Sequence, residues 1–334
     1  MPVYGLVFGN LAKIHKNGSA RMNTGIKTAS DKRKRLIAEF KKQRWLQAMV
    51  IPGIIFTLIF CYIPMYGVII AFKDFNFTEG IMGSQWVGLK HFRDFLQAPN
   101  LGNIFYNTLG ITVSRLIIGF PIPILFALML NELTNVHFKK AIQTVSYLPQ
   151  FVSFVVIAGM MSKLFATDGA VNDLLVALHI LKEPVQFMGN KDCFWGLIVG
   201  SGIWQGMGYG SILYLAAITG VDQSLYESAT LDGAGRFKKW IYVTIPSIMP
   251  IVVIQLVMSM NGILSAGFDN ILLLQNSQVM ERAEVLDTYI YKVGLQDGRY
   301  SYSTAVGLFT SVIRISLVLL TNYVSKRVTE YGLW

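Results

Sequence analysis

Residues 46–72 read LQAMVIPGIIFTLIFCYIPMYGVIIAF, a run of 27 residues without one charged side chain. A helix rises about 1.5 Å per residue, so the run exceeds the roughly 20 residues that cross a bilayer core of about 30 Å. Backbone groups in that core find no water, so a chain crosses it only as helices or as a closed barrel. Barrel strands give a weaker, alternating signal. The run therefore predicts a membrane-spanning helix.

Five further runs have a similar length and composition. Together with the first they predict six spans, at residues 46–72, 104–130, 141–165, 194–220, 246–274 and 303–325. Only 14% of the residues are charged, against about 25% in soluble domains. We expect an all-α integral membrane protein with a basic segment at 1–45, a transmembrane domain at 46–325 and a tail at 326–334.

The distribution of positive charge predicts the orientation of the spans. Eleven of the 29 Lys and Arg residues precede Trp45. If the N-terminus is cytoplasmic, the segments on that side hold 18 Lys and Arg residues and the outer loops hold 8. Cytoplasmic loops carry such an excess, so both termini are expected in the cytoplasm. The net charge of +10 therefore indicates a membrane surface rather than nucleic acid as the partner.

The fourth run is rich in glycine. Its glycines at four-residue spacing are Gly196, Gly200, Gly202, Gly206 and Gly210. GxxxG spacing lets two helices approach closely in lipid, so these glycines predict helix packing. A nucleotide-binding loop is the alternative, but no strand precedes the run and the chain contains no GxxxxGK[ST] motif.

The segment between the fourth and fifth runs predicts a compact helix–turn–helix. Asp222 is a suitable N-cap for a short helix that ends near Leu231. Gly233 and Gly235 permit a sharp turn. A second short helix then runs toward Pro246, which stops it or starts the next helix. By these criteria alone, the segment is an ordinary interfacial loop.

Segment 222–246 also resembles the EAA loop of ABC importer permeases. That loop has E-A-A, three residues, G, nine residues, I, one residue and L-P. The corresponding residues are Glu227-Ser228-Ala229, Gly233, Val243, Ile245 and Pro246, with Asp232-Gly233-Ala234 matching a common Asp-Gly-Ala run. Ser228, Val243 and Ile245 depart conservatively from the pattern. From about residue 32 onward the chain resembles sugar permeases of this type, and most of all their polysaccharide branch, which includes alginate-type importers.

The resemblance implies a type I ABC importer permease in a bacterial cytoplasmic (inner) membrane. It implies a non-catalytic subunit that binds no cofactor, with ATP and Mg on two separate ATPase subunits. A second, usually non-identical permease and a solute-binding protein complete the system, and the cargo is an oligosaccharide or polysaccharide. The residues that it assigns to ATPase coupling are Glu227, Ala229, Asp232, Gly233, Ala234 and Pro246.

Ionisable side chains inside the predicted spans are candidates for the substrate path, because charges there usually face a cavity or a partner. They are Arg115, Lys163, Asp269 and Arg314. Arg115 and Arg314 fall near mid-bilayer, whereas Lys163 and Asp269 lie near the outer end, where snorkelling explains them. Three cations against one anion suggest an acidic, uronate-type sugar. Alternatively, the two arginines cap carbonyl groups or pair with the partner permease.

Aromatic and amide side chains are further candidates for a sugar path. They are Trp204, Gln205 and Tyr209 in the fourth run and Asn261, Phe268, Asp269 and Asn270 in the fifth. Hydrogen bonding between helices explains the amides equally well.

Three other functions are alternatives to a sugar importer permease. An intramembrane enzyme would need a catalytic or metal-binding cluster in the spans, but the histidines, His15, His91, His137 and His179, all lie outside them. Cys61 and Cys193 have no CxxC spacing, so no metal site is expected. A secondary transporter is compatible with six spans but has no use for an EAA loop. An ABC permease for a non-sugar solute remains the closest alternative.

Overall fold

A computed structural model describes residues 42–262, 264–329 and 332, without the side chains of Arg44 and Asn261. Most of the predicted basic segment 1–45 and half or so of the tail 326–334 lie outside the described residues. The chain divides into two units, one ending at Tyr66 and the other beginning at Gly67. The cavities, the apolar clusters and segment 222–246 described below lie in the second unit.

The described residues are mostly helical. The α-helices are α1 Arg44–Thr57, α2 Gly80–Gly83, α3 Lys90–Leu96, α4 Leu101–Ser114, α5 Pro121–Glu132, α6 Val136–Tyr147, α7 Phe154–Leu164, α8 Ala170–Ala177, α9 Lys191–Thr219, α10 Gln223–Leu231, α11 Arg236–Lys239, α12 Ile245–Asn261, α13 Phe268–Leu274, α14 Met280–Ala283, α15 Leu286–Tyr291 and α16 Tyr300–Thr329. The 3-10 helices are Ile63–Phe72, Leu148–Phe151 and Phe187–Gly189, and the π-helices are Leu58–Tyr62, Arg115–Gly119, Trp240–Thr244 and Lys292–Gln296.

Two short strands form a small antiparallel sheet. β1 is Lys73–Asp74 and β2 is Gln85–Trp86, with Lys73 opposite Trp86. The Phe72 and Trp86 rings stack with centroids 5.8 Å apart, which holds the start of the hairpin together. The sheet follows the first long helix directly.

Four continuous helical stretches among the described residues are long and apolar enough to cross a membrane. They are Trp45–Phe72, Leu101–Glu132, Arg236–Met260 and Tyr300–Thr329. A bent pair, Val136–Phe151 with Phe154–Leu164, makes a fifth if it is counted as one span. The predicted fourth span, 194–220, lies in the 29-residue helix α9, which is not among these. By length and composition, the described residues therefore support four or five of the six predicted spans.

The predicted third span, 141–165, is not one straight helix. α6 ends at Tyr147 and α7 begins at Phe154, and the two parts are bent by 102°. Pro149 lies in the 3-10 turn between them and has no N–H to continue the α-helical ladder. The Ser153 hydroxyl then caps α7, so the direction of the chain changes at a fixed point.

The predicted fifth span, 246–274, is also interrupted. α12 ends at Asn261 and α13 begins at Phe268. Ala266 and Gly267, just before α13, have φ angles of 46° and 83°, which lie in the left-handed region and cannot continue a right-handed helix. The break places a loop, not a helix, in the wall of the cavity described below.

Pro246 is the second residue of α12, which agrees with the prediction that it starts the next helix. It lies inside the continuous stretch Arg236–Met260, two residues after the π-helical turn Trp240–Thr244. π-helical turns end two residues before Pro64 and Pro121 as well. A π turn changes the hydrogen-bond register, and this relieves the clash and the lost bond that proline causes in an α-helix.

Helix α9 contributes to two of the three buried apolar clusters. The first cluster includes Ile111, Ile157, Phe194, Ile198 and Ile271. The second includes Leu128, Tyr214, Ile218 and Ile248. The third includes Phe95, Ile104, Leu264, Leu286 and Tyr302. α9 is therefore a central helix of the second unit.

The GxxxG prediction is only partly right. Nothing lies within 4 Å of a Cβ built on Gly196, Gly200 or Gly206. The other two motif glycines, Gly202 and Gly210, do face the second predicted span, because a Cβ built on them would meet Arg115 and Pro123. The closest approach of the α9 backbone is instead at Gly208, where a Cβ would overlap the carbonyl group of Ser146. Among the α9 glycines, the closest contact therefore occurs where a neighbouring backbone approaches the helix. The four-residue spacing of the glycines does not predict this position.

Candidate functional site

A cavity of about 650 Å³, lined by both polar and apolar side chains, lies in the second unit. Its wall includes five of the residues that the sequence singled out: Arg115, Gln205, Phe268, Asp269 and Asn270. They come from a π turn, from the middle of α9 and from the first turn of α13. Residues far apart in sequence therefore converge on one space, whose wall also contains side chains that the sequence analysis missed: Gln150, Phe154, Met207 and Ser265.

Arg115 occupies the side of the cavity between two glycines. It begins the π-helical turn Arg115–Gly119. A Cβ on Gly202 would lie 3.2 Å from its Nη2, and a Cβ on Gly267 would overlap the guanidinium. Its Nε is buried without a hydrogen-bond partner. Among the described residues, no carboxylate forms an ion pair with it.

The amides on the cavity wall differ in their bonding. Gln205 is buried, and its Nε2 donates to the Val152 carbonyl at 3.1 Å, which ties α9 to the break between α6 and α7. Asn270 is only 3% exposed, and its Nδ2 has no partner. Asp269 is exposed beside it. The Gln205 amide therefore stabilises the fold through its hydrogen bond, whereas the Nδ2 donor of Asn270 is unpaired.

The remaining candidates do not join this cavity. Trp204 lines a separate apolar pocket of about 400 Å³ with Met160 and Phe165. Tyr209 is half exposed and makes an edge-on contact with Phe151, their centroids 6.3 Å apart. The side chain of the candidate Asn261 lies outside the described residues.

Arg314 is neutralised by a carboxylate. Its Nη2 lies 2.7 Å from Asp287 Oδ1, and both residues line another cavity of about 450 Å³ with Thr304 and Ser311. The predicted balance of three cations against one anion is therefore wrong. That balance included only side chains inside the predicted spans, and Asp287 was assigned to an outer loop. Lys163, the third of those cations, is exposed.

Segment 222–246, which is called the coupling segment below after the role that its resemblance implies, has the predicted first helix and turn. Asp222 caps α10 by accepting a hydrogen bond from the Ser224 N–H at 2.9 Å, and this bond lowers the pKa of the Asp222 carboxyl. Gly233 has a φ of 72°, and the next N–H, of Ala234, donates to the Ala229 carbonyl at 2.9 Å. Gly235 has an ordinary φ of −73°, so only Gly233 needs the freedom of glycine.

The segment presents both charged and apolar side chains at its surface. Glu227 and Asp232 are exposed. Leu231, Phe237 and Tyr242 are 89%, 74% and 75% exposed. Leu231 lies outside the candidate membrane-spanning stretches, where such exposure is typical of an interaction surface, whereas Phe237 and Tyr242 lie in the stretch Arg236–Met260.

One side-chain bond holds segment 222–246 together, and two contacts attach it to the rest of the second unit. Within the segment, the Tyr226 hydroxyl lies 2.9 Å from Thr244 Oγ1, which joins α10 to the π turn Trp240–Thr244. The Trp240 indole donates to Glu132 Oε1 at 2.9 Å, and Arg236 Nε lies 3.6 Å from Glu132 Oε2. Sequence analysis missed Glu132, because its partners are more than 100 residues away in the chain.

Comparison with known proteins supports the proposed class. The profile of a family described as "Binding-protein-dependent transport system inner membrane component" matches residues 119–330. The polygalacturonan/rhamnogalacturonan transport system permease protein YteP of Bacillus subtilis (strain 168) is 41% identical over 91% of this chain and 94% of its own length. Protein LplB of the same organism is 40% identical over 89% of this chain and 93% of its own length.

Solved structures give the same result. A chain of a bacterial alginate ABC transporter, in complex with an alginate pentasaccharide-bound periplasmic protein, superposes with a TM-score of 0.82. It is 38% identical in sequence, and the match covers 90% of this chain and 100% of that one. A second structure, of a bacterial ABC transporter involved in the import of the acidic polysaccharide alginate, has a TM-score of 0.81 at 38% identity. The match covers 88% of this chain and 99% of that one. The chain therefore belongs to the family of inner membrane components of binding-protein-dependent transport systems.

Proposed function

We propose that the chain is the permease subunit of an ATP-driven importer and that its cargo is an oligosaccharide or polysaccharide. Family membership supports the transport role. Relatives at about 40% identity support the cargo class, because YteP is named for polygalacturonan and rhamnogalacturonan and the superposed structures for alginate. The observation that carries the proposal is the cavity, where residues from three separate elements place polar groups inside a helical membrane domain.

The proposed domain has six spans. They are the five stretches described above, with the bent pair counted as one span, and α9, which corresponds to the predicted fourth span. At about 1.5 Å per residue, its 29 residues are long enough to cross a bilayer core of about 30 Å. Its lower hydropathy has a physical reason, because Gln205 and the glycines around it face the cavity and not lipid. A helix enclosed by protein does not need an apolar surface all round. Both termini are proposed to be cytoplasmic, from the positive-inside bias.

The coupling segment is proposed to dock on a separate ATPase subunit. Its exposed Leu231 provides apolar contact area, and Glu227 provides charge beside it. The bonds of Glu132 to Trp240 and Arg236 attach this surface to the helix that carries Arg115. The full system is proposed to contain two ATPase subunits, which hold ATP and Mg, a second permease and a solute-binding protein. This chain has no catalytic step of its own in the proposal.

Purification of the assembled complex tests the proposal. The chain is co-expressed with a second permease and an ATPase subunit from the same organism, and the complex is reconstituted in lipid. ATPase activity is measured with the binding protein loaded with neutral oligosaccharides, acidic oligosaccharides, amino acids or peptides. We expect stimulation by one sugar class only. Stimulation by a non-sugar solute would reassign the cargo, and transport without the ATPase would indicate a secondary transporter.

A further inference from the structure

The geometry points to a specificity-determining site for a carboxylate in the cavity. We propose that the Arg115 guanidinium, helped by the Asn270 amide, binds the carboxylate of an acidic sugar as it passes through. This inference rests on the proposed function and adds to it the chemical group that the path selects.

Arg115 is the one cation on this wall. Among the described residues that line the cavity, no other side chain carries a positive charge. Arg314 is excluded, because its charge is compensated by Asp287 at 2.7 Å in a different cavity. Lys163 is excluded, because it is exposed and does not line the cavity. The positive charge available to a cargo is therefore localised at one guanidinium.

Two residues that line the cavity each have a buried hydrogen-bond donor without a partner among the described residues. The donors are Nε of Arg115 and Nδ2 of Asn270. Buried donors without an acceptor are unfavourable and uncommon, so an acceptor-rich ligand would be favoured if a small side-chain movement brought these donors to the cavity surface. A carboxylate has two oxygens that match the planar fork of a guanidinium. An isolated sugar hydroxyl offers a single oxygen and no charge.

The backbone around Arg115 holds the guanidinium in place. The glycines at 202 and 267 leave the space that it fills, and a side chain at Gly267 would displace it. Gly267 and the preceding Ala266 both have left-handed φ angles. A non-glycine residue in that conformation is strained, and strained positions cluster at functional sites. Ala266 and Gly267 thus lie in a strained backbone conformation directly against the Arg115 guanidinium.

Asp269 is the only described anion on the same wall. It is exposed and forms no ion pair with Arg115, so it does not neutralise the guanidinium directly. A carboxylate at this position can accept hydrogen bonds from sugar hydroxyls. The wall can therefore bind the acidic group and the hydroxyl groups of one sugar at different points.

The test uses two matched probes, an oligogalacturonate and the same oligosaccharide with its carboxylates reduced to alcohols. Saturation-transfer NMR measures their binding to the complete transporter in lipid nanodiscs without the binding protein. We expect wild type to prefer the acidic probe, and Arg115→Gln to reduce the ratio of acidic to neutral affinity at least tenfold. Arg115→Lys keeps the positive charge but lacks the planar guanidinium that can donate two parallel hydrogen bonds. It should therefore give an intermediate ratio of acidic to neutral affinity. Lys163→Gln removes the same charge outside the cavity and should leave the ratio unchanged.

Three results would overturn the inference. These are no binding of the acidic probe to wild type, an unchanged ratio in Arg115→Gln, or failure of Arg115→Gln to assemble with the second permease. The last result would mean that Arg115 pairs with a carboxylate of the partner. The proposed function is tested separately by ATPase stimulation. Normal stimulation with an unchanged ratio rejects only the carboxylate site, whereas no stimulation by any loaded binding protein rejects the importer itself.

Discussion

The Glu132 carboxylate accepts a hydrogen bond from the Trp240 indole at 2.9 Å. Glu132 ends the helical stretch Leu101–Glu132, which also carries Arg115. Trp240 lies near the start of the stretch Arg236–Met260, and the loop that follows this stretch packs against Arg115. The two helices are therefore joined at the coupling segment and meet again at the cavity. Under the proposed function, this arrangement is a candidate route for coupling between segment 222–246 and the cavity.

Replacement of Glu132 by glutamine should weaken that connection. The amide keeps the size of the side chain but removes its charge, and charge-assisted hydrogen bonds are about twice as strong as neutral ones. We expect stimulation of ATPase activity by the loaded binding protein to fall about threefold or more, while the complex still assembles. Glu183→Gln is the matched control, because Glu183 is exposed and no bond of its side chain is seen among the described residues. Equal stimulation in both variants would remove Glu132 from the coupling route.

The two glycines of the coupling segment should differ in their tolerance of alanine. No atom lies within 4 Å of a Cβ on Gly233 or on Gly235, so any effect must come from the backbone. Gly233 has a φ of 72° and Gly235 a φ of −73°. A left-handed conformation costs a non-glycine residue roughly 1–2 kcal/mol. Gly233→Ala should therefore lower ATPase coupling, and Gly235→Ala should leave it near the wild-type level. Similar losses in both would contradict the role of the turn.

Removal of Asp287 should destabilise the protein more than removal of the whole ion pair. Asp287→Asn leaves Arg314 without its counter-charge, and breaking a buried pair costs about 3–5 kcal/mol. The cost should be smaller here, since the two side chains are 26% and 21% exposed. We expect the melting temperature of the purified complex to fall by several degrees in Asp287→Asn and to recover partly in Asp287→Asn/Arg314→Gln. No recovery would mean that the two residues act independently.

Addition of a methyl group at Gly267 should disturb the carboxylate site without changing its charge. A Cβ there would overlap the Arg115 guanidinium, and the φ of 83° adds strain. Gly267→Ala should therefore lower the ratio of acidic to neutral affinity, as Arg115→Gln does. Gly262→Ala is the matched control, because its φ is −87° and a Cβ would meet neighbours only at 3.7 Å. An unchanged ratio in Gly267→Ala would show that the position of the guanidinium does not matter.

Local signals in the sequence predicted the local parts of the structure. Asp222 as a cap and Gly233 as a turn follow from their own backbone preferences, and both are confirmed. The break before Gly267 could not be predicted, because glycine is also common inside membrane helices. The partner of Arg314 was missed for another reason. Asp287 lies 27 residues away in a segment without a long apolar run, so no periodic pattern links the two residues.

The cavity was predicted in part. The rule that charges and amides in spans face a cavity or a partner identified Arg115 and Asn270, which do line it. The separate criterion of aromatic side chains suited to a sugar path selected Trp204 and Tyr209, which face elsewhere. The side of a helix on which a residue lies depends on its neighbours in space, and α9 has apolar partners over much of its circumference. Its sequence alone therefore does not distinguish a cavity wall from a packing surface.

Uptake of a labelled oligosaccharide into proteoliposomes tests the central claim most directly. The complete complex is reconstituted with ATP inside the vesicles and the loaded binding protein outside. We predict accumulation that requires ATP, Mg and the binding protein, and that is strongly reduced by Gly233→Ala but not by Gly235→Ala. Accumulation that is the same without ATP, or that does not need the binding protein, would contradict the account of this chain as an importer permease.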